Sequence, residues 1–204
     1  NAHGICKIIL EKKLCFSFSQ LLDKVLNIYG EKLVEPEEAV KSYCLNFFSN
    51  RLRYIFERQG FRYDLVNAAV SASIDNIYHC YLRLKALDSF KEGAHLEPLV
   101  IISKRVNNIL RDQPPFKINP ELLAEKEERE LYTTFSIVRQ NVLPLIAKGD
   151  FIQAQKIIFR MRSSIDNFFD RVLVMAEDKK TKQNRLALLQ SISKLLIQLA
   201  DYSQ

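Results

Sequence analysis

Lys104, Asn108 and Arg111 fall within about 60° of one another on a helix, opposite Leu99, Ile102, Val106, Ile109 and Leu110. Asn107 flanks that stripe. Two cations and an amide in one line can hold phosphates and read base edges, although a merely solvated helix face carries the same pattern. A second oddity lies upstream. Arg51 and Arg58 share an azimuth with Val40, Cys44, Phe48 and Ile55, while Asn46, Asn50, Arg53 and Glu57 make the ordinary polar face. A cation on an apolar face is costly unless it is paired or reaches a cleft. Asp75 and Asp170 are possible partners for Arg51, and a ligand-facing role is the alternative. Arg83, beside Leu84 and Leu87, reads as structural. Lys179, Lys180 and Lys182 read as a short basic loop before Asn184-Arg185, either solvated or touching a phosphate backbone. Tyr54, Phe61, Tyr63 and Tyr132 are available to stack on unpaired bases.

Catalytic apparatus is not visible. The chain has no GxxxxGKS phosphate cradle, no GxSxG elbow and no convincing nucleophile–base set. Asp170, Arg171, Glu177 and Asp178 lie close together but within an apolar block, Phe168 to Asp178, that reads as a core-forming turn. Cys6, Cys15, Cys44 and Cys80 show no CxxC pairing, and His3, His79 and His95 are far apart. The expectation is four reduced, mostly buried thiols in a cytoplasmic protein, with no metal site. The chain reads as non-catalytic.

The elements that must position these residues are helices throughout. Residues 1–13 read as the end of a helix, and Ser19 as the cap of one running to about Tyr29. Glu35-Pro36-Glu37-Glu38 opens a long helix that stops at Gly60. Asp64 and Asp75 read as caps of the next two, and residues 99–111 make a further one. Pro114-Pro115 forces an irregular connection from Asp112 to Pro120. A helix from Glu121 to Lys148 follows, kinked or broken near Pro144. Another runs from Gly149-Asp150 to Met161, Ser163 or Ser164 caps the next, and the last spans about Lys182 to Tyr202. The fold class is all-α, a helical bundle, with residues 1–34 assigned to a preceding domain.

Composition agrees with a globular chain of 204 residues, about half of them apolar, with scarce glycine and proline. No apolar run approaches the roughly 20 residues of a membrane span. The net charge of +6 is unevenly spread. Residues 46–111 carry ten basic against six acidic groups and 151–204 carry nine against five, so the excess sits with the candidate contact residues.

Several blocks, in order, resemble the C-terminal part of the beta subunit of bacterial, heterotetrameric glycyl-tRNA synthetases. They are Asn46 to Tyr54, Gln59 to Asp64, Arg83 to Leu87, Lys104 to Leu110, Phe168 to Asp178 and Asn184-Arg185-Leu186. Ala2-His3-Gly4-Ile5 resembles the tail of the preceding HD-like domain in that subunit. Ser103, Arg171 and Leu173 depart from the family pattern without disturbing its spacing. The resemblance implies an anticodon-binding bundle of the DALR type over residues 35–204, preceded by the HD-like tail over 1–34. It implies a glycine tRNA and an alpha subunit, or a fused catalytic region, as partners in an α2β2-type assembly, with no membrane. It implies no cofactor for this stretch, since ATP and magnesium serve the catalytic part of the enzyme. The RNA contacts expected are Arg51, Lys104, Arg105, Asn108 and Arg185, with Arg53 and Arg111 on phosphates. The competing reading is a helical protein-interaction scaffold that binds no RNA.

Overall fold

The computed structural model describes residues 2–90 and 96–202, and all of its regular structure there is helical. His95 lies outside the described residues. Two compact units divide between Asp88 and Ser89. In the first, the two leading helices pack on the third and bond to a later loop. Among the described residues no helix is long and apolar enough to cross a membrane.

In the first unit α1 (Ala2–Glu11) buries Cys6 and Ile9, and α2 (Phe18–Tyr29) buries Phe18 and Leu26. Ser17, not Ser19, caps α2: its Oγ accepts the Gln20 N–H at 3.1 Å. The Ser19 N–H instead donates to Asp75 Oδ1 at 2.8 Å, and the Ser17 hydroxyl donates to the same oxygen at 3.0 Å. Asp75 therefore caps α2 from a distant loop. The long helix α3 (Glu37–Arg58) starts behind Pro36 with Glu37 and Glu38 in its first turn. It ends where Gly60 takes φ +89°, a conformation a side chain would strain. Leu52, Ile55 and Phe56 form its buried stripe. In α4 (Tyr63–Ala72) Asp64 sits inside the first turn, 2.6 Å from Arg62, and does not cap it. Asn76 caps α5 (Ile77–Phe90) by accepting the His79 N–H at 3.0 Å. Arg83 is buried and donates to the Ala69 and Ser73 carbonyls, satisfying acceptors that the end of α4 leaves open.

The second unit begins with α6 (Leu96–Leu110), whose Leu99, Ile102, Ser103 and Val106 are buried. Asp112 turns the chain out of the helix at φ +60°. The irregular stretch that follows is pinned along a later helix. The Gln190 amide donates to the Pro114 carbonyl at 2.8 Å and accepts the Phe116 N–H at 2.9 Å, and Asn184 Oδ1 accepts the Asn119 N–H at 2.7 Å. A 3-10 turn at Pro120–Leu122 leads to α7 (Lys126–Ala147), opened by a reciprocal Glu125–Glu128 capping box. Pro144 removes one helical N–H, yet α7 continues through it to Ala147, so the expected break does not occur. Asp150 caps α8 (Phe151–Phe159). In α9 (Arg162–Arg171) Met161 occupies the capping position without a side-chain bond, and Ser163 and Ser164 lie within the first turn. Asp178 caps α10 (Lys179–Leu199), so the three lysines expected in a loop occupy its first turn.

Helix α10 is the spine of this unit and packs on α6, α7 and α8. Leu186, Leu188, Leu189, Ile192 and Leu199 are fully buried on it, each contributing about 1.5–3 kcal/mol of transfer free energy.

Candidate nucleic-acid interface

Burial of one side of α6 dictates what its other side offers. With Leu99, Ile102 and Val106 turned into the core, Lys104, Arg105, Asn107, Asn108 and Arg111 are all exposed. The expected stripe is therefore assembled within one unit, with Lys104 and Asn108 on α6 and Arg111 in the turn just past its end. Among the described residues Lys104 and Arg111 have no ion-pair partner. The Arg105 guanidinium lies 4.1 Å from the centroid of the Phe169 ring on α9. That contact restrains a long side chain before any ligand arrives. Asn107 accepts from the Ser193 hydroxyl at 3.1 Å, tying this face to α10.

Arg51 and Arg53 belong to the first unit. Arg51 is half-buried, and its guanidinium sits 5.7 Å from the centroid of Phe47 instead of pairing with Asp75. It also lies close enough to Cys6 to temper the effect of burial, which pushes that thiol up to about 11. Arg53 is held by Asn67 at 3.0 Å, with Asn50 and Ser71 each at 3.3 Å, which leaves it only partly available to a phosphate.

Arg185, expected among the RNA contacts, lies in the core. Its Nε donates to Glu128, its Nη1 donates to the Leu173 carbonyl at 2.8 Å, and its Nη2 is 3.9 Å from Glu125. Glu128 is itself buried and closes the capping box of α7. Arg185 thus joins α10, the start of α7 and the segment after α9, and its donors do not reach the surface. The apolar block behaves as a core turn in part: Phe168, Val172 and Val174 are buried, while Leu173 and Met175 point outward.

Sequence periodicity missed an open groove of about 670 Å³ between α7 and α10. Tyr132, Ser136, Arg139 and Gln140 line it from α7, Ser191, Lys194 and Gln198 from α10, and Ile118 from the pinned connection. Phe135 and Leu195 form its apolar floor. The missed signal was the spacing of polar residues at i, i+4, i+7 and i+8 on α7 and at i, i+3 and i+7 on α10, two helices that the sequence gives no reason to pair. Among the described residues no group of three His, Cys, Asp or Glu side chains comes together to hold a metal.

Two family models match the chain. The glycyl-tRNA synthetase beta subunit model covers residues 1–71, and the DALR anticodon binding domain model covers 101–201, which includes the α6 stripe and the whole groove. Glycine–tRNA ligase beta subunits from Syntrophus aciditrophicus and Moorella thermoacetica are 33% and 35% identical across the full chain. The one from Myxococcus xanthus is 35% identical over 98% of it. The chain spans about 30% of the length of each of these relatives.

Proposed function

We propose that this chain, which belongs to the glycyl-tRNA synthetase beta subunit family, grips the anticodon arm of a glycine tRNA and so supports its aminoacylation. The observation that carries this reading is the α6 face: exposed Lys104 and Arg111, restrained Arg105 and exposed Asn108, within the stretch that matches an anticodon-binding domain. Lys104, Arg105 and Arg111 supply a sequence-independent hold on loop phosphates, and Asn108 supplies a donor–acceptor pair for a base edge. Arg51 and Arg53 are accessory contacts of the first unit. Adenylate and ester formation, with their ATP and magnesium, fall to an alpha subunit or a fused catalytic region, in an α2β2-type assembly in the cytoplasm.

The test is a titration of the chain with glycine tRNA and an anticodon-swapped tRNA at two salt concentrations. Lys104→Ala and Arg111→Ala should weaken both complexes and lower the salt slope by about 1 each. Asn108→Ala should erode discrimination by roughly 1–3 kcal/mol. Equal affinity for the two tRNAs together with an inert Lys104→Ala variant would overturn the proposal.

A further inference from the structure

The groove between α7 and α10 has a composition that the phosphate-gripping face lacks. Its lining includes two cations, Arg139 and Lys194, and no carboxylate. Among the described residues neither cation has an ion-pair partner. Tyr132 is half-exposed beside them, and Gln140 and Gln198 add amides along the same walls. A flat aromatic, an apolar floor of Phe135 and Leu195, amides at the rim and unopposed positive charge match the parts of a nucleotide: base face, base edge and phosphate. The site is built in advance, because Gln190 and Asn184 hold the connection that carries Ile118. Lys194 also borders a second hollow formed by Leu110, Gln113, Pro115 and Gln190, which leads toward the Arg111 end of the α6 face. A strand held on α6 therefore has an open path past Lys194 into the groove.

We infer that the α7–α10 groove receives one unstacked nucleotide of an RNA loop, its base stacked on Tyr132 and its phosphate held by Arg139 and Lys194. The inference rests on the proposed tRNA reading. Tyr132 is the base contact, and the two cations set affinity without sequence preference.

Fluorescence anisotropy of the chain with a labelled anticodon stem-loop, and with the same stem-loop made abasic across its loop, tests it. Tyr132→Leu should weaken the intact loop on the order of tenfold and leave the abasic loop unchanged. Arg139→Gln with Lys194→Gln should weaken both and reduce the salt slope by about 1.4. Arg139 and Lys194 are exposed, so this double variant leaves the core untouched. If the groove variants bind like the parent chain while Lys104→Gln binds more weakly, the groove assignment is overturned and the reading of α6 stands. Equal weakening of both loops by Tyr132→Leu also overturns it. If the parent chain binds neither loop, both fall together.

Discussion

Removing Arg185 should cost more than removing any cation on the α6 face, and the cost should appear in stability. Its side chain is 8% exposed and that of Glu128 1%. Arg185→Met leaves the Glu128 carboxylate buried with a single remaining bond, from the Glu125 N–H at 2.9 Å, and strips the Leu173 carbonyl of its donor. An uncompensated buried charge costs about 3–5 kcal/mol. Glu128→Gln should cost less, about 1–3 kcal/mol, because Arg185 keeps the Leu173 carbonyl and can lean on Glu125 at 3.9 Å. With both charges gone, the double variant retains a neutral capping side chain, and its main loss is the carbonyl bond of about 1–3 kcal/mol. Taken together, the two single losses should therefore exceed the double by about 4 kcal/mol. Urea unfolding followed by far-UV circular dichroism, fitted to the transition of the second unit, measures all three. Additive losses, or an Arg185→Met cost below about 1 kcal/mol, would show that this pair is solvated and that the core assignment is mistaken.

Burial alone would raise the Asp75 carboxyl, but hydrogen bonds from Ser19 and Ser17 and the charge of Lys41 outweigh it and hold it below its ordinary value. Its folded pKa being depressed, its contribution is fully present above the unfolded value of about 3.9 and is lost as pH falls through the lower folded value. Asp75→Ala should fray α2, cost about 0.5–2 kcal/mol at neutral pH and flatten the acid limb of a stability–pH curve. Gln190→Ala should cost about 1–3 kcal/mol and speed amide exchange at Phe116, seen by hydrogen-exchange NMR. Burial pushes Cys6 and Cys80 up to about 11, whereas Cys15 is exposed. A maleimide at neutral pH should modify Cys15 first in the native chain and reach Cys6 and Cys80 only on unfolding, as mass spectrometry would record.

Helix content and the α6 stripe were legible because both follow from a local period. Pro36 with Glu37 and Glu38, Gly60, and Pro114-Pro115 mark boundaries by backbone chemistry that needs no partner. The caps were less legible, because short polar residues cluster at helix starts and several can serve. Ser17 and Ser19 compete for one helix, and Asp75 caps an element some 56 positions away while its neighbour Asn76 caps the adjacent one. Arg185 was misassigned for a related reason. A cation after three lysines looks like part of a basic surface, and its buried partner lies 57 positions upstream. The groove was invisible because it exists only once α7 and α10 meet.

Gln190 and Asn184 also make the connection before α7 a splint. They grip it at two points six positions apart on α10, about 9 Å along the helix axis. The chain between Phe116 and Asn119 must cover that distance and no other. The anchored groups are backbone, so an added or deleted residue would break one anchor and tilt Ile118 out of register. Length variation within this family should therefore collect elsewhere, and a tag or fused segment should be placed outside residues 114–119.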